Sequence, residues 1–317
     1  MAESYPMKGG DADYSYYKNS FFQREAINTA KRLIDETIAH NLNIKDLLFG
    51  SSSSFNIADL GCSVGPNTFI CSEIISAPES EIFCCWLCPV SATAVLFPRS
   101  SVLSFILPTA VTLAISGICH PSLSPAWNKG RIFYTNASAE VCKAYATQFA
   151  KDMEIFLDAR AKELVVGGII VIMVPTIPNG ISHSCESFNL LFDLLGSILM
   201  DMAKEGLVSE AQVDSFNLPM YIPHAKEMIE LVERNRCFNI ERIESYKFLS
   251  GFDVLNDGQA LTKHFRAGLE GIISQNFGSG ILDELFDRFL KKTQELSSQL
   301  QASLAETSQV FLALKRA

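Results

Sequence analysis

The sequence contains no apolar run able to cross a bilayer. The nearest, Val102 to Ile118, is interrupted by Ser104, Pro108, Thr109 and Thr112, whereas a spanning helix needs about 20 predominantly apolar residues. The opening Met1-Ala-Glu-Ser-Tyr-Pro-Met-Lys8 lacks a charged-then-apolar leader pattern, so a cytoplasmic location is expected. Basic clusters are absent beyond pairs such as Lys291-Lys292, and the net charge is −9. Neutralising phosphates demands a concentrated positive face, so neither nucleic acid nor a membrane is an expected partner. A second pair of zinc ligands is also missing. Cys85 and Cys88 form one C-x-x-C, but nothing at suitable spacing completes it, and the nine cysteines are expected to be free thiols.

What is present is ample apolar material. Of 317 residues, 48% are apolar and 19% charged, enough for a large core in one domain or two. After a polar arm, apolar residues at 3- and 4-residue spacing predict a helix from about Gln23 to Leu48. Phe55 to Leu60 reads as a strand, a glycine turn follows, and Asn67 to Ser76 reads as the next helix. Glu81 to Leu87 is a candidate second strand. Residues 139 to 164 form an amphipathic helix that Gly167-Gly168 is expected to break, and Ile169 to Val174 is a wholly apolar strand. Such a strand belongs where helices cover both sheet faces. Residues 185 to 206 read as helix, Ala211 to Pro223 as loop, and Val310 to Leu314 as a final strand. The alternation predicts an α/β fold with a parallel, doubly wound sheet.

The glycine turn carries the chemistry. Asp59-x-Gly61-x-x-x-Gly65 lies between a strand and a helix. Its glycines permit close approach of backbone to ligand, and the helix start offers unpaired N–H groups. The spacing differs from the G-x-G-x-x-G that suits pyrophosphate. It fits a ligand without phosphates, such as the methionine part of S-adenosylmethionine; a glycine-rich turn without a ligand is the alternative. An acid to receive ribose hydroxyls is expected about 20 residues on, at the end of the next strand. None ends Glu81 to Leu87; Glu79 and Glu81 stand at its start.

Several segments in one order resemble the plant SABATH methyltransferases, which methylate carboxyl groups or ring nitrogens of small metabolites. They are Met7-Lys-Gly-Gly-Asp11, Ser15-Tyr-Tyr-Lys-Asn-Ser20, Ile57 to Thr68, Trp127-Asn-Lys-Gly130, Ala144 to Phe149, Glu163 to Gly168 and Asp214-Ser-Phe-Asn-Leu-Pro219. The resemblance implies a Rossmann-like methyltransferase sheet with a helical cap, in one domain over residues 1–317. The N-terminal arm and about 175–300 would supply the cap. It implies that Tyr16, Asp59, Gly61, Cys62, Gly65, Asn67 and Ser91 contact S-adenosylmethionine and that Gln23 contacts a substrate carboxylate. Some members carry Mg2+, and the matching positions are Asn128, Asp214, Phe216 and Asn217; a solvated loop acid or helix cap is the alternative for Asp214. A homodimer and a small carboxylic acid substrate of iridoid, terpenoid, jasmonate or salicylate type are implied as well. No side chain is expected to transfer a proton, because the mechanism is one of positioning.

Residues 77 to about 123 depart from that pattern. Ser91-Ala-Thr-Ala-Val95 and Ile106-Leu-Pro-Thr-Ala110 stand where the family has Ser-Phe-Tyr-Gly-Arg and His-Ser-Ser-Tyr-Ser. Codons for those family residues, read one base later, give Thr-Ala-Val and Ile-Leu-Pro-Thr-Ala. The segment is therefore expected to be partly out of frame relative to its relatives. That leaves open a second reading, a catalytically inactive relative serving as a binding or dimer partner.

Overall fold

A computed structural model describes residues 9–41, 126–183, 188–247, 249 and 257–317, together with the backbone of 56–60 and 101–106. Among the described residues five strands form one sheet: β1 (Asn56–Leu60), β2 (Ser101–Ile106), β3 (Leu164–Thr176), β4 (Phe238–Lys247) and β5 (Ser308–Arg316), in the order β1-β2-β3-β5-β4. β1, β2 and β3 are parallel, so Leu60, Ile106 and Thr176 end on the same sheet edge. β5 runs antiparallel to both its neighbours, an exception to the all-parallel expectation.

Helices α1 (Tyr16–Asn19) and α2 (Phe21–Asn41) form the arm. α3 (Ala139–Glu163) leads into β3, and α4 (Asn189–Lys204), α5 (Glu210–Ser215) and α6 (Ala225–Asn235) follow it. Beyond β4 come α7 (Gly258–Phe277), a 3-10 turn (Ser279–Ile281), α8 (Leu282–Glu295) and α9 (Ser297–Leu304). α1 packs on α7, and α8 packs on both α4 and α7. No helix among the described residues is long and apolar enough to cross a membrane.

The apolar run of β3 is explained by its two faces. Ile169, Val171 and Met173 join Phe311 and Ala313 of β5 beneath Ile27, Ala30, Leu33 and Ile34 of α2. Ile170, Ile172 and Val174 point the other way, with Val310, Leu312 and Leu314, into the larger core built on α3, α4 and α6 to α9. Strand side chains alternate between faces, so a strand covered on both sides must be apolar throughout. β4, at the sheet edge, instead alternates buried or half-buried with exposed positions. Its Glu241, Arg242, Glu244 and Lys247 suit an edge that must not pair with another chain.

Two readings of the sequence need correction. Gly167-Gly168 does not end α3, which stops at Glu163; both glycines lie within β3. Gly167 takes φ +82° where the β2 partner jumps from Leu164 to Ile169, so glycine permits a bulge. The stretch 211–223 is also not wholly loop. α5 occupies Glu210–Ser215, started by a reciprocal Ser209–Gln212 capping box. The expected helix at 67–76, the strand at 81–87, and the beginnings of those read from 55 and 185 lie outside the described residues.

Candidate functional site

In a doubly wound sheet, ligands gather beyond the carboxyl ends of the parallel strands. β1 delivers the backbone of Asp59 and Leu60 to that edge, with Asp59 opposite Phe105 and Leu60 opposite Ile106. Gly61, Cys62, Gly65, Asn67 and Ser91 lie outside the described residues.

The arm is held by a dense set of local bonds. Ser15 caps α1 by accepting from the Lys18 amide, and Lys18 Nζ donates to the Asp11 carbonyl. Asn19 Nδ2 donates to the carbonyls of Asp13 and Ser15, both at 2.8 Å. These bonds seat Tyr16, which is buried. Phe21 and Phe22, one turn on, place their rings 4.8 and 4.4 Å from His264 of α7. Gln23 is half-buried, and its Oε1 is fully covered without a hydrogen-bond partner among the described residues. A covered polar atom without a partner costs about 1–3 kcal/mol, so a ligand that supplies a donor there gains by it.

The four positions linked to a cation are joined by the backbone. Leu218 N donates to Ile132 O at 2.7 Å, bringing 128–134 alongside 214–218. Asn128 is buried; its Nδ2 donates to Phe133 O at 3.0 Å and to Asn217 Oδ1 at 3.1 Å. Asp214, also buried, accepts the Gly130 amide on Oδ1 at 2.7 Å. Gly130 has φ +68°, a conformation that lets its N–H meet the carboxylate. Phe216 is buried, with its amide on Val213 O at 3.1 Å. Asn128 Oδ1 is covered and unpartnered among the described residues. Oxygen donors from Asn128 and Asp214, completed by backbone and water, match the chemistry of a hard dication.

A group that sequence reading missed lies where β3 ends. Ile177 forms a lone parallel bridge with His224. There His183, His224 and Glu227 each bring a ligating atom to within 4.8 Å of the others. Tyr134 and Tyr221 flank them, with ring centroids 5.5 and 5.4 Å from His183. Burial, and secondarily the neighbouring His224, lowers the His183 pKa. Burial also pushes the Tyr221 hydroxyl far up. The one local signal was His224 three residues before Glu227, a spacing that puts both in the first turn of a helix.

The comparisons with known proteins agree with this architecture. A family model described as SAM dependent carboxyl methyltransferase matches residues 2–84 and 88–317. The match continues through 88–123, which the motif resemblance leaves out. Loganic acid O-methyltransferase of Catharanthus roseus is 35% identical over 357 aligned positions, covering 99% of this chain and 95% of that protein. The alignment exceeds the chain's own 317 residues, so the relative has positions with no counterpart here. Farnesoic acid carboxyl-O-methyltransferase of Arabidopsis thaliana is 30% identical, with both chains fully covered. A solved structure of loganic acid methyltransferase with SAH superposes with TM-score 0.90 at 33% identity, covering 98% of each chain.

Proposed function

The chain belongs to the SAM dependent carboxyl methyltransferase family, and on that premise we propose that Gln23 presents a small carboxylic acid to a methyl donor contacted by Tyr16. The enzyme's donor is S-adenosylmethionine, and its product a methyl ester. The fold is the α/β fold of methyltransferases. The half-buried Gln23 on the packed arm would donate its Nε2–H to the carboxylate, which only accepts, while its covered Oε1 is left for a hydroxyl or amide donor of the ligand.

The bound donor supplies a methyl group already activated on a sulfonium sulfur. Transfer breaks the S–CH3 bond and forms an O–CH3 bond, with no proton to remove, because a carboxylate is ionised at neutral pH. The protein has therefore to orient the acid and exclude water. Tyr16 closes the donor side of the arm and Gln23 holds the carboxylate. Asp59, Gly61, Cys62, Gly65, Asn67 and Ser91 complete the donor site.

The substrate class proposed is an iridoid, terpenoid, jasmonate or salicylate type acid. The identities of the relatives support it. We further assign Asn128, Asp214, Asn217 and the Phe216 backbone to a Mg2+ site that braces 128–134 against 214–218. Incubating the protein with methyl-labelled S-adenosylmethionine and a panel of small acids tests the activity. A labelled methyl ester from at least one apolar acid is expected. Label appearing only on a ring nitrogen, or on none of the acids while the protein binds the donor, refutes the substrate assignment.

A further inference from the structure

We propose that His183, His224 and Glu227 form a binding site for a Zn2+-class metal ion, which ties the end of β3 to the start of α6. Two histidines and a glutamate make a three-ligand set with room for a fourth, exogenous ligand.

The hydrogen-bond directions carry the argument. His224 Nε2 lies 2.9 Å from the carbonyl oxygen of Ile181. A carbonyl only accepts, so Nε2 holds a proton, and the lone pair with which this ring would ligate a metal falls on Nδ1. That lone pair faces Glu227 Oε2 at 3.3 Å. Glu227 Oε2 at this distance shares either a proton or a metal ion with Nδ1, and only a metal ion also engages His183, whose ring nitrogen lies within 4.8 Å. About 3.3 Å is also the spacing of two ligands on a tetrahedral zinc with bonds near 2.0–2.1 Å.

His183 offers the second nitrogen. Its Nδ1 and Nε2 lie 3.3 and 3.4 Å from the hydroxyls of Tyr134 and Tyr221, long for such bonds, which run to about 3.0 Å. Both hydroxyls have other partners as well. Tyr221 donates to Glu227 Oε1 at 3.0 Å, and Tyr134 donates to Ile222 O at 3.3 Å while accepting the Ile222 amide at 3.1 Å. A neutral imidazole donates through only one nitrogen, so the other nitrogen has a lone pair with which to ligate a metal ion.

The surroundings resemble those that hold metal ligands in place. The Ile181 carbonyl fixes the His224 tautomer, while the His224 amide, at 2.6 Å, and the Tyr221 hydroxyl orient the two Glu227 oxygens. The donor set is nitrogen-rich, which favours zinc, cobalt or nickel over magnesium. It is separate from the oxygen donors at Asn128 and Asp214 and requires nothing of the methyl-transfer reaction.

The test is metal uptake by the full chain. After dialysis against Zn2+ with Mg2+ in excess, the protein should retain one equivalent. Co2+ in its place should give the visible d–d bands of a tetrahedral nitrogen and oxygen site. His183→Gln and His224→Gln should each weaken retention at least tenfold, with Glu227→Gln as a third variant should either fail to fold by circular dichroism. Asp214→Asn should retain the metal. The proposal is overturned by no stoichiometric uptake, in which case a proton balances His224 and Glu227. It is equally overturned by uptake unchanged in the histidine variants, or by thiolate-to-cobalt charge-transfer bands, which would place the ion on cysteines.

Discussion

His264 of α7 directs Nδ1 at the backbone carbonyl of Asn19, 2.6 Å away and 245 positions earlier in the chain. The contact ties the arm that carries Tyr16 and Gln23 to a helix near the other end of the sequence. Desolvation, opposed by this hydrogen bond, lowers the His264 pKa to about 4.

A pH dependence of stability follows. An unfolded histidine titrates near 6.5, so between about pH 6.5 and 4 the unfolded chain binds a proton that the folded one refuses. The stabilisation is complete above pH 6.5, declines as pH falls through that window, and levels off below it. Because part of the residue is accessible, the loss is set at about 1–3 kcal/mol. Urea unfolding at pH 7 and pH 5 should show it, and His264→Gln should flatten the difference. An equal decline in the variant would assign the effect elsewhere.

Arg160 and Glu163 form an ion pair of 2.6 Å with side chains only 9% and 4% exposed. Removing one partner of a buried pair strands the other charge, at a cost of about 3–5 kcal/mol. Glu163→Gln should therefore lower the denaturation midpoint strongly, more than exchanging both residues for apolar ones of similar volume. Equal losses in the two variants would mean that shape, not charge, matters at this turn.

Gln23→Ala should raise KM for the acid about tenfold with kcat little altered, the pattern of a lost ground-state contact of about 1–2 kcal/mol. Affinity for S-adenosylhomocysteine should stay unchanged in the same variant. Weakened binding of that product would move Gln23 to the donor side.

Asp214→Asn keeps an acceptor for the Gly130 amide but removes its charge, and charged hydrogen bonds contribute about 1.5–3 kcal/mol. Stability should fall by about 1–2 kcal/mol, and any rise in melting temperature given by Mg2+ to the parent should vanish. If Mg2+ stabilises the variant as much as the parent, the ion sits elsewhere.

The shifted windows at Ser91–Val95 and Ile106–Ala110 predict a one-base displacement in the transcript, measured against transcripts of its relatives. Sequencing across codons 77–123 decides it. An unbroken frame with unrelated codons would show these residues to be ordinary substitutions.

Long periodic elements were legible in the sequence because burial imposes their pattern. α2 and α3 bury one face at the helical period, and β3 and β5 stand out as unbroken apolar runs because both their faces are covered. Gly167-Gly168 misled because the residue that breaks a helix also permits a bulge in a strand. The short α5 left only Ser209-x-x-Gln212 as its mark. Spatial neighbours were legible where one segment holds them, as in the arm, and where family order linked 128 with 214–217, which the structure brings side by side. His183 meets Glu227 only because β3 and α6 converge, and no spacing in the sequence encodes that convergence.

The position of β5 also constrains biosynthesis. Ser308–Arg316 is inserted between β3 and β4, yet it leaves the ribosome after both. Until it arrives, the two strands expose the backbone edges it will occupy, a surface open to wrong pairing. A nascent chain ending before residue 308 has no finished sheet, so premature termination should yield aggregates or protease substrates. Quality control at this enzyme thus falls on a central strand made after both its neighbours.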